Sequence, residues 1–106
     1  MKNIYIKAIA DRIGVKEWQV ENCAKLFEEG ATIPFVSRYR KERTGGLDEV
    51  AVAEIRHWTD AFAELEKRKT TILETIGQAG GLTPELKGKI ENSVASREIE
   101  DLYLPF

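Results

Sequence analysis

"DEVAVAEIRHWTDAFAELEKRKTTILETI", residues 48–76, decides the fold class. Ile55, Trp58, Phe62, Leu65, Ile72 and Ile76 recur at spacings of three and four, with Lys69 the one polar residue in the series. That period places them on one face of a helix. No glycine or proline interrupts the run. At a rise of 1.5 Å per residue the helix would be about 45 Å long, against a radius of gyration of roughly 13 Å for a compact domain of this size. Part of the seam, centred on Trp58, Phe62 and Leu65, is therefore expected to pack against something outside the chain or a second copy of it.

Working back toward the N-terminus, Gly45-Gly46 marks a chain reversal, and "TIPFVSRYRKERT" (32–44) precedes it. Thr32 and Pro34 open a helix there, because proline is tolerated in a first turn. At 100° per residue Phe35, Val36 and Tyr39 fall on one side, Arg40 and Arg43 flank them, and Arg38 and Lys41 point away. Upstream, Asn3 is placed to cap a helix over 4–13 that ends at Gly14, with Ile6, Ile9, Ala10 and Ile13 on its apolar side. A second helix runs from about Lys16 to Glu29, with Val20, Cys23, Ala24 and Phe27 inward, and stops at Gly30. Ala10, Gly14 and Val20 have the spacing of a helix-turn-helix over 4–29. Toward the C-terminus, Thr83, Pro84 and Glu85 start a helix that ends near Asn92, and Ser96 is placed to cap a last one. No alternating run or hairpin dipeptide indicates a strand. The expected architecture is all-α: a helix-turn-helix-like unit packed with a basic helix and one long helix, followed by two short C-terminal helices.

The composition narrows the chemistry. The 106 residues are 42% hydrophobic and 32% charged, globular proportions, with a formal net charge of -2. That balance is no general polyanion coat, so any nucleic-acid contact must be local. A single cysteine, Cys23, on a buried helix face, excludes an internal disulfide and fits a reducing compartment. A single histidine, His57, leaves nothing from which to assemble a metal cluster or a histidine-based triad. The carboxylates are spread over helix surfaces without an acid/base pair, so neither an enzyme nor a cofactor is expected. "TGGLDEV" (44–50) lacks the preceding strand and the lysine of a phosphate loop, and Asp48 and Glu49 already occupy the helix start an anion would need. Residues 1–14 hold no apolar run fit for a signal peptide or membrane span, which reads as a soluble, cytoplasmic protein without a membrane partner.

Two stretches remain open to function. As a DNA reader, the second helix would present Lys16, Glu17, Gln19, Glu21 and Asn22, where two acids oppose phosphate and no arginine reads guanine. The other is the basic stretch, with Arg38, Arg40, Lys41 and Arg43 against Glu42. One reading is an amphipathic helix whose arginines pair with nearby acids, a role suited to Arg40 and Arg43. The other is a weak, salt-sensitive contact with phosphates, without base specificity, carried by the outward Arg38 and Lys41.

"IPFVSRYRKERTGGLDEV" (33–50), "ELEKRKTTILETIGQAGGLTPEL" (64–86) and "EIEDLYLPF" (98–106) together resemble the N-terminal domain of the Tex family of bacterial transcription accessory proteins. The resemblance covers residues 1–106 and is most specific at 33–50 and 98–106. It implies a longer parent protein with an RNase-H-like domain, helix-hairpin-helix elements and a C-terminal OB-fold RNA-binding domain, associated with nucleic acid and transcription. It implies RNA or DNA as partners through the parent, the C-terminal domains of the same chain as neighbours, and contact with transcription machinery. Phe106 stands where a tyrosine is common. The apolar, aromatic stop at 102–106 is what a chain cut from something longer would show. The expected role is a non-catalytic helical scaffold with an auxiliary phosphate contact. A protein-interaction module working through Trp58, Phe62 and Leu65, or a helix-turn-helix DNA-binding regulator, are the other readings.

Overall fold

A computed structural model describes residues 1–106 and contains helices and turns only, with no strand. The helices are α1 (Asn3–Ile13), α2 (Glu17–Glu28), α3 (Ile33–Tyr39), α4 (Lys41–Thr44), α5 (Glu49–Gln78), α6 (Pro84–Asn92) and α7 (Ser96–Tyr103). They divide into two compact units, Met1–Ala61 and Phe62–Phe106, with the boundary inside α5.

In the first unit α1 packs on α2, α2 on α4 and α3 on α4. Its core holds Tyr5, Ile6, Ile9 and Ala10 from α1, Val20, Cys23, Ala24, Leu26 and Phe27 from α2, Val36 from α3, and Val52 and Ile55 from α5. Gly14 ends α1 in the left-handed region at φ 78°, and the N–H groups of Gly14 and Val15 both donate to the Ala10 carbonyl. This satisfies a carbonyl the helix end would otherwise orphan. Asn3, expected to cap α1, is its first residue instead. Lys2 holds the capping position in extended conformation with no side-chain hydrogen bond. Thr32 does cap α3, its Oγ1 accepting from the Phe35 N–H at 3.3 Å.

The expected continuous basic helix is two helices. Arg40 leaves helical geometry at φ -131° and ψ 35°, and α4 follows as a single turn of four residues. The predicted faces differ as well. Val36 and Ser37 are buried on α3 and Thr44 on α4, whereas Phe35 is 37% and Tyr39 64% exposed. The stripe Phe35, Val36, Tyr39 is therefore not one apolar face.

In the second unit Phe62, Leu65, Ile72 and Ile76 of α5 are buried, as are Ile90 of α6 and Ile99 of α7. α6 starts as the sequence indicates, with Thr83 Oγ1 accepting from the Leu86 N–H at 3.1 Å and Pro84 first in the helix. α7 does not. Ser96 is its first residue, Ala95 is at the cap, and the nearby hydroxyl that ties down this turn is Ser93, which accepts from the Ala95 N–H at 3.1 Å. Arg68 holds Glu100 through two hydrogen bonds, Nε to Oε1 at 2.6 Å and Nη2 to Oε2 at 3.0 Å, with its guanidinium 5.4 Å from the Tyr103 ring centroid. Lys69, read from sequence as a gap in the apolar seam, is among the most buried side chains, at 2% exposure. Its Nζ donates to the Glu91 carbonyl at 3.0 Å, in the last turn of α6, where a cation is favoured.

The seam expected to face outward is largely covered. Phe62 and Leu65 are 4% and 6% exposed, and Trp58 is half-buried. A docking partner would find almost no surface of Phe62 or Leu65 to touch. The length estimate assumed one core serving the whole helix, but each part of α5 belongs to its own unit.

Candidate nucleic-acid interface

The basic stretch is held by its backbone. From α2, Asn22 Nδ2 donates to the Arg43 carbonyl and Gln19 Nε2 to the Thr44 carbonyl, each at 2.8 Å. Gln19 Oε1 also accepts from the Lys16 N–H at 2.9 Å, so its amide is used at both ends. Gly45 then turns the chain at φ 71° so tightly under α2 that a Cβ there would lie 2.6 Å from Trp18 Cη2 and 2.7 Å from Gln19 Nε2. Only a residue without a side chain fits in that conformation and space. Main-chain anchoring leaves the side chains of Arg38, Lys41 and Arg43 with no hydrogen bond or ion pair tying them to the fold.

Arg38 and Lys41 are exposed, as the helical projection indicated, and Arg40 and Arg43 are half-buried. The acids expected to partner Arg40 and Arg43 are absent. Lys7–Asp11, Lys25–Glu21 and Arg56–Asp60 are ion-paired in the first unit, but no cation of the basic stretch is. Arg40 instead lies over the Phe35 ring, 4.8 Å from its centroid, while its Nη1 donates to the Tyr39 carbonyl at 2.8 Å. Phe35 and Tyr39, four apart on α3, sit with centroids 5.6 Å apart and planes inclined at 45°. The two rings and the guanidinium form one exposed cluster. The sequence reading missed it because it assigned the aromatic side of α3 to the core, whereas the side holding Val36 and Ser37 is the one that is buried.

The other candidate residues are placed apart from this cluster. Trp58 lies under the Arg12 guanidinium at 4.2 Å, with the exposed His57 ring edge-on at 5.1 Å. Cys23 is buried, and desolvation pushes its thiol up to about 11, which leaves it protonated and unreactive near neutral pH. Along α2, Gln19 and Asn22 are committed to the carbonyls of Thr44 and Arg43, so two polar side chains a DNA-reading helix would use are already engaged. No helix is long and apolar enough to cross a membrane.

Residues 3–77 match the family described as the Tex-like protein N-terminal domain. The chain belongs to the Tex family. It is 44% identical over 101 residues to Protein tex of Bordetella pertussis, covering 95% of this chain and 13% of that protein. It is 35% identical over 100 residues to the transcriptional accessory protein Tex of Neisseria gonorrhoeae, covering 94% and 13%. The human S1 RNA-binding domain-containing protein 1 is similar at 25% identity over 101 residues, covering 95% of this chain and 10% of that protein. The chain thus spans about one eighth of the length of these two Tex relatives, 13% of each.

Proposed function

We propose that this chain is the helical N-terminal module of a Tex-like transcription accessory protein, a non-catalytic scaffold that adds an auxiliary contact to the nucleic-acid backbone through Arg38 and Lys41. The observation carrying the contact is the exposed pair of cations on a stretch with no carboxylate partner, held to α2 by its main chain. Unpaired cations on a rigid backbone attract phosphate without having to break an internal ion pair first. The relatives' names, a transcriptional accessory protein and an S1 RNA-binding domain-containing protein, support nucleic acid as the partner class. In this reading the protein works in the cytoplasm, most of the affinity for RNA or DNA comes from elsewhere in the parent protein, and the scaffold positions that protein on the transcription machinery.

The test is fluorescence anisotropy of labelled single-stranded RNA and duplex DNA with the 106-residue chain, at about 50 and 200 mM salt, the interval over which phosphate contacts weaken strongly. Binding that fades with salt and disappears in an Arg38→Glu, Lys41→Glu double variant establishes the contact. Absence of binding at low salt leaves the chain a scaffold alone.

A further inference from the structure

We propose that Phe35, Tyr39 and Arg40 form a stacking platform for the unpaired bases of a single-stranded nucleic acid, beside the phosphate contact of Arg38 and Lys41 and resting on that reading. Helical proteins bury their aromatic rings for the apolar area these contribute. On α3 the reverse holds: Tyr39 is 64% and Phe35 37% exposed, while Val36 next to Phe35 is fully buried. The two rings present inclined faces with centroids 5.6 Å apart. Arg40 is fixed at their side by its hydrogen bond to the Tyr39 carbonyl and its position over Phe35. Its flat guanidinium is a third surface on which a base can stack.

The charges around the rings identify the ligand. Arg38, Arg40, Lys41 and Arg43 face a single acid of the same stretch, Glu42, and form no ion pair in their unit. An apolar protein face would have to desolvate these cations to cover the rings. A strand of unpaired nucleotides matches both features, with its phosphates on the cations and its bases on the rings. In a duplex the base faces are already stacked on one another, so the platform discriminates between paired and unpaired strands. Aromatic stacking tolerates any base, because each has a π-face, and the selectivity is therefore for single-strandedness rather than sequence.

The experiment measures anisotropy at about 50 mM salt with a labelled ten-nucleotide single strand, the matching duplex, and a sugar-phosphate strand of equal length without bases. The proteins are the unaltered chain, Tyr39→Leu, Tyr39→Trp and the Arg38→Glu, Lys41→Glu double variant, each checked for helix content by circular dichroism. Tyr39→Leu is expected to weaken single-strand binding at least about fivefold, the lower end for losing one stacked base, and to leave the duplex and baseless strands within about twofold. Tyr39→Trp restores the affinity, and 2-aminopurine in the strand is quenched by the unaltered chain but not by Tyr39→Leu. Single-strand affinity unchanged in Tyr39→Leu, or an equal loss for all three ligands, overturns the platform. If the charge variant alone loses binding, the phosphate contact stands without the platform. A loss in Tyr39→Leu alone leaves the platform standing without the phosphate contact. No binding by the unaltered chain overturns both.

Discussion

Lys69 Nζ lies 3.0 Å from the carbonyl oxygen of Glu91, on a side chain only 2% exposed. The ammonium is also 3.6 Å from Glu66 Oε1, which supplies the opposing charge that a buried cation requires. A hydrogen bond to a charged group contributes about 1.5–3 kcal/mol, and losing the aliphatic stem adds a packing cost. We expect Lys69→Ala to lower the unfolding free energy by about 2–4 kcal/mol, and Lys69→Met, which keeps the stem, by roughly half as much. Urea denaturation measures both. An alanine variant within about 0.5 kcal/mol of the unaltered chain would show that the bond contributes nothing net.

Gly45 and Gly14 share left-handed backbone but not their surroundings. Alanine at Gly14 meets no atom within 4 Å, so it carries only the conformational cost of about 1–2 kcal/mol. At Gly45 the added methyl meets Trp18 and Gln19 and forces Gln19 from the Thr44 carbonyl. Thermal melts should rank Gly45→Ala clearly below Gly14→Ala. Equal melting temperatures would mean that the fit between α2 and the turn is loose.

Arg68 and Glu100 set an acid limit on the second unit. The hydrogen bond from Arg68 holds the Glu100 carboxyl below its ordinary 4.5. A carboxylate with a lowered folded pKa adds stability that is complete above its unfolded pKa and lost as pH falls through the folded one. Both partners are solvent-exposed, so the contribution is modest and weakened by salt. Melting temperatures of the unaltered chain and Glu100→Gln should differ near pH 7, and the gap should close as pH falls below the ordinary 4.5 of a glutamate. A gap independent of pH would place the origin of the difference elsewhere.

The number of cations on the phosphates can be counted from salt dependence. For single strands the logarithm of affinity falls with slope about -0.7 per neutralised phosphate. Two contacts, from Arg38 and Lys41, predict a loss of roughly sevenfold between 50 and 200 mM salt, whereas four would give roughly fiftyfold. The larger value would bring Arg40 and Arg43 onto the backbone as well.

Cys23 is fully buried and its thiol is pushed up to about 11 by desolvation. Alkylation by iodoacetamide at pH 8 should therefore proceed through opening of the first unit, and its rate should rise with sub-denaturing urea. Rapid labelling in the native state would mean that α2 leaves the core readily.

Much of this architecture is legible in the residues alone. Thr83-Pro84-Glu85, the glycines that end α1 and α2, and the three-four spacing of α5 are local signals, and each element starts or stops near where they indicate. The failures come from tertiary context. Asn3 and Ser96 have capping chemistry, yet the chain is already helical at these residues, and the extended Lys2 and Ala95 hold the cap positions instead. The break at Arg40 carries no proline or glycine, and its neighbours α2 and α4 are tied through backbone carbonyls that sequence cannot display. Phe35 and Tyr39 are a separate miss: hydrophobicity assigns them to the core, but the side of α3 that is buried holds Val36 and Ser37. Lys69 interrupts the pattern but completes the packing, because its partner is a main-chain oxygen 22 residues away. Arg38 and Lys41 are exposed as expected, although Lys41 lies beyond the break, in α4, where the projection of one continuous helix no longer applies.

The hold of α2 on α4 also governs how the protein can change. Asn22 and Gln19 grip carbonyl oxygens, which every amino acid carries. Substitutions at 38, 41 and 43 can therefore rewrite the charge of this surface while the turn beneath it stays in place. Such a surface is a natural point of divergence among descendants of one fold, and a convenient one for engineering, where a new recognition pattern could be installed without redesigning the scaffold.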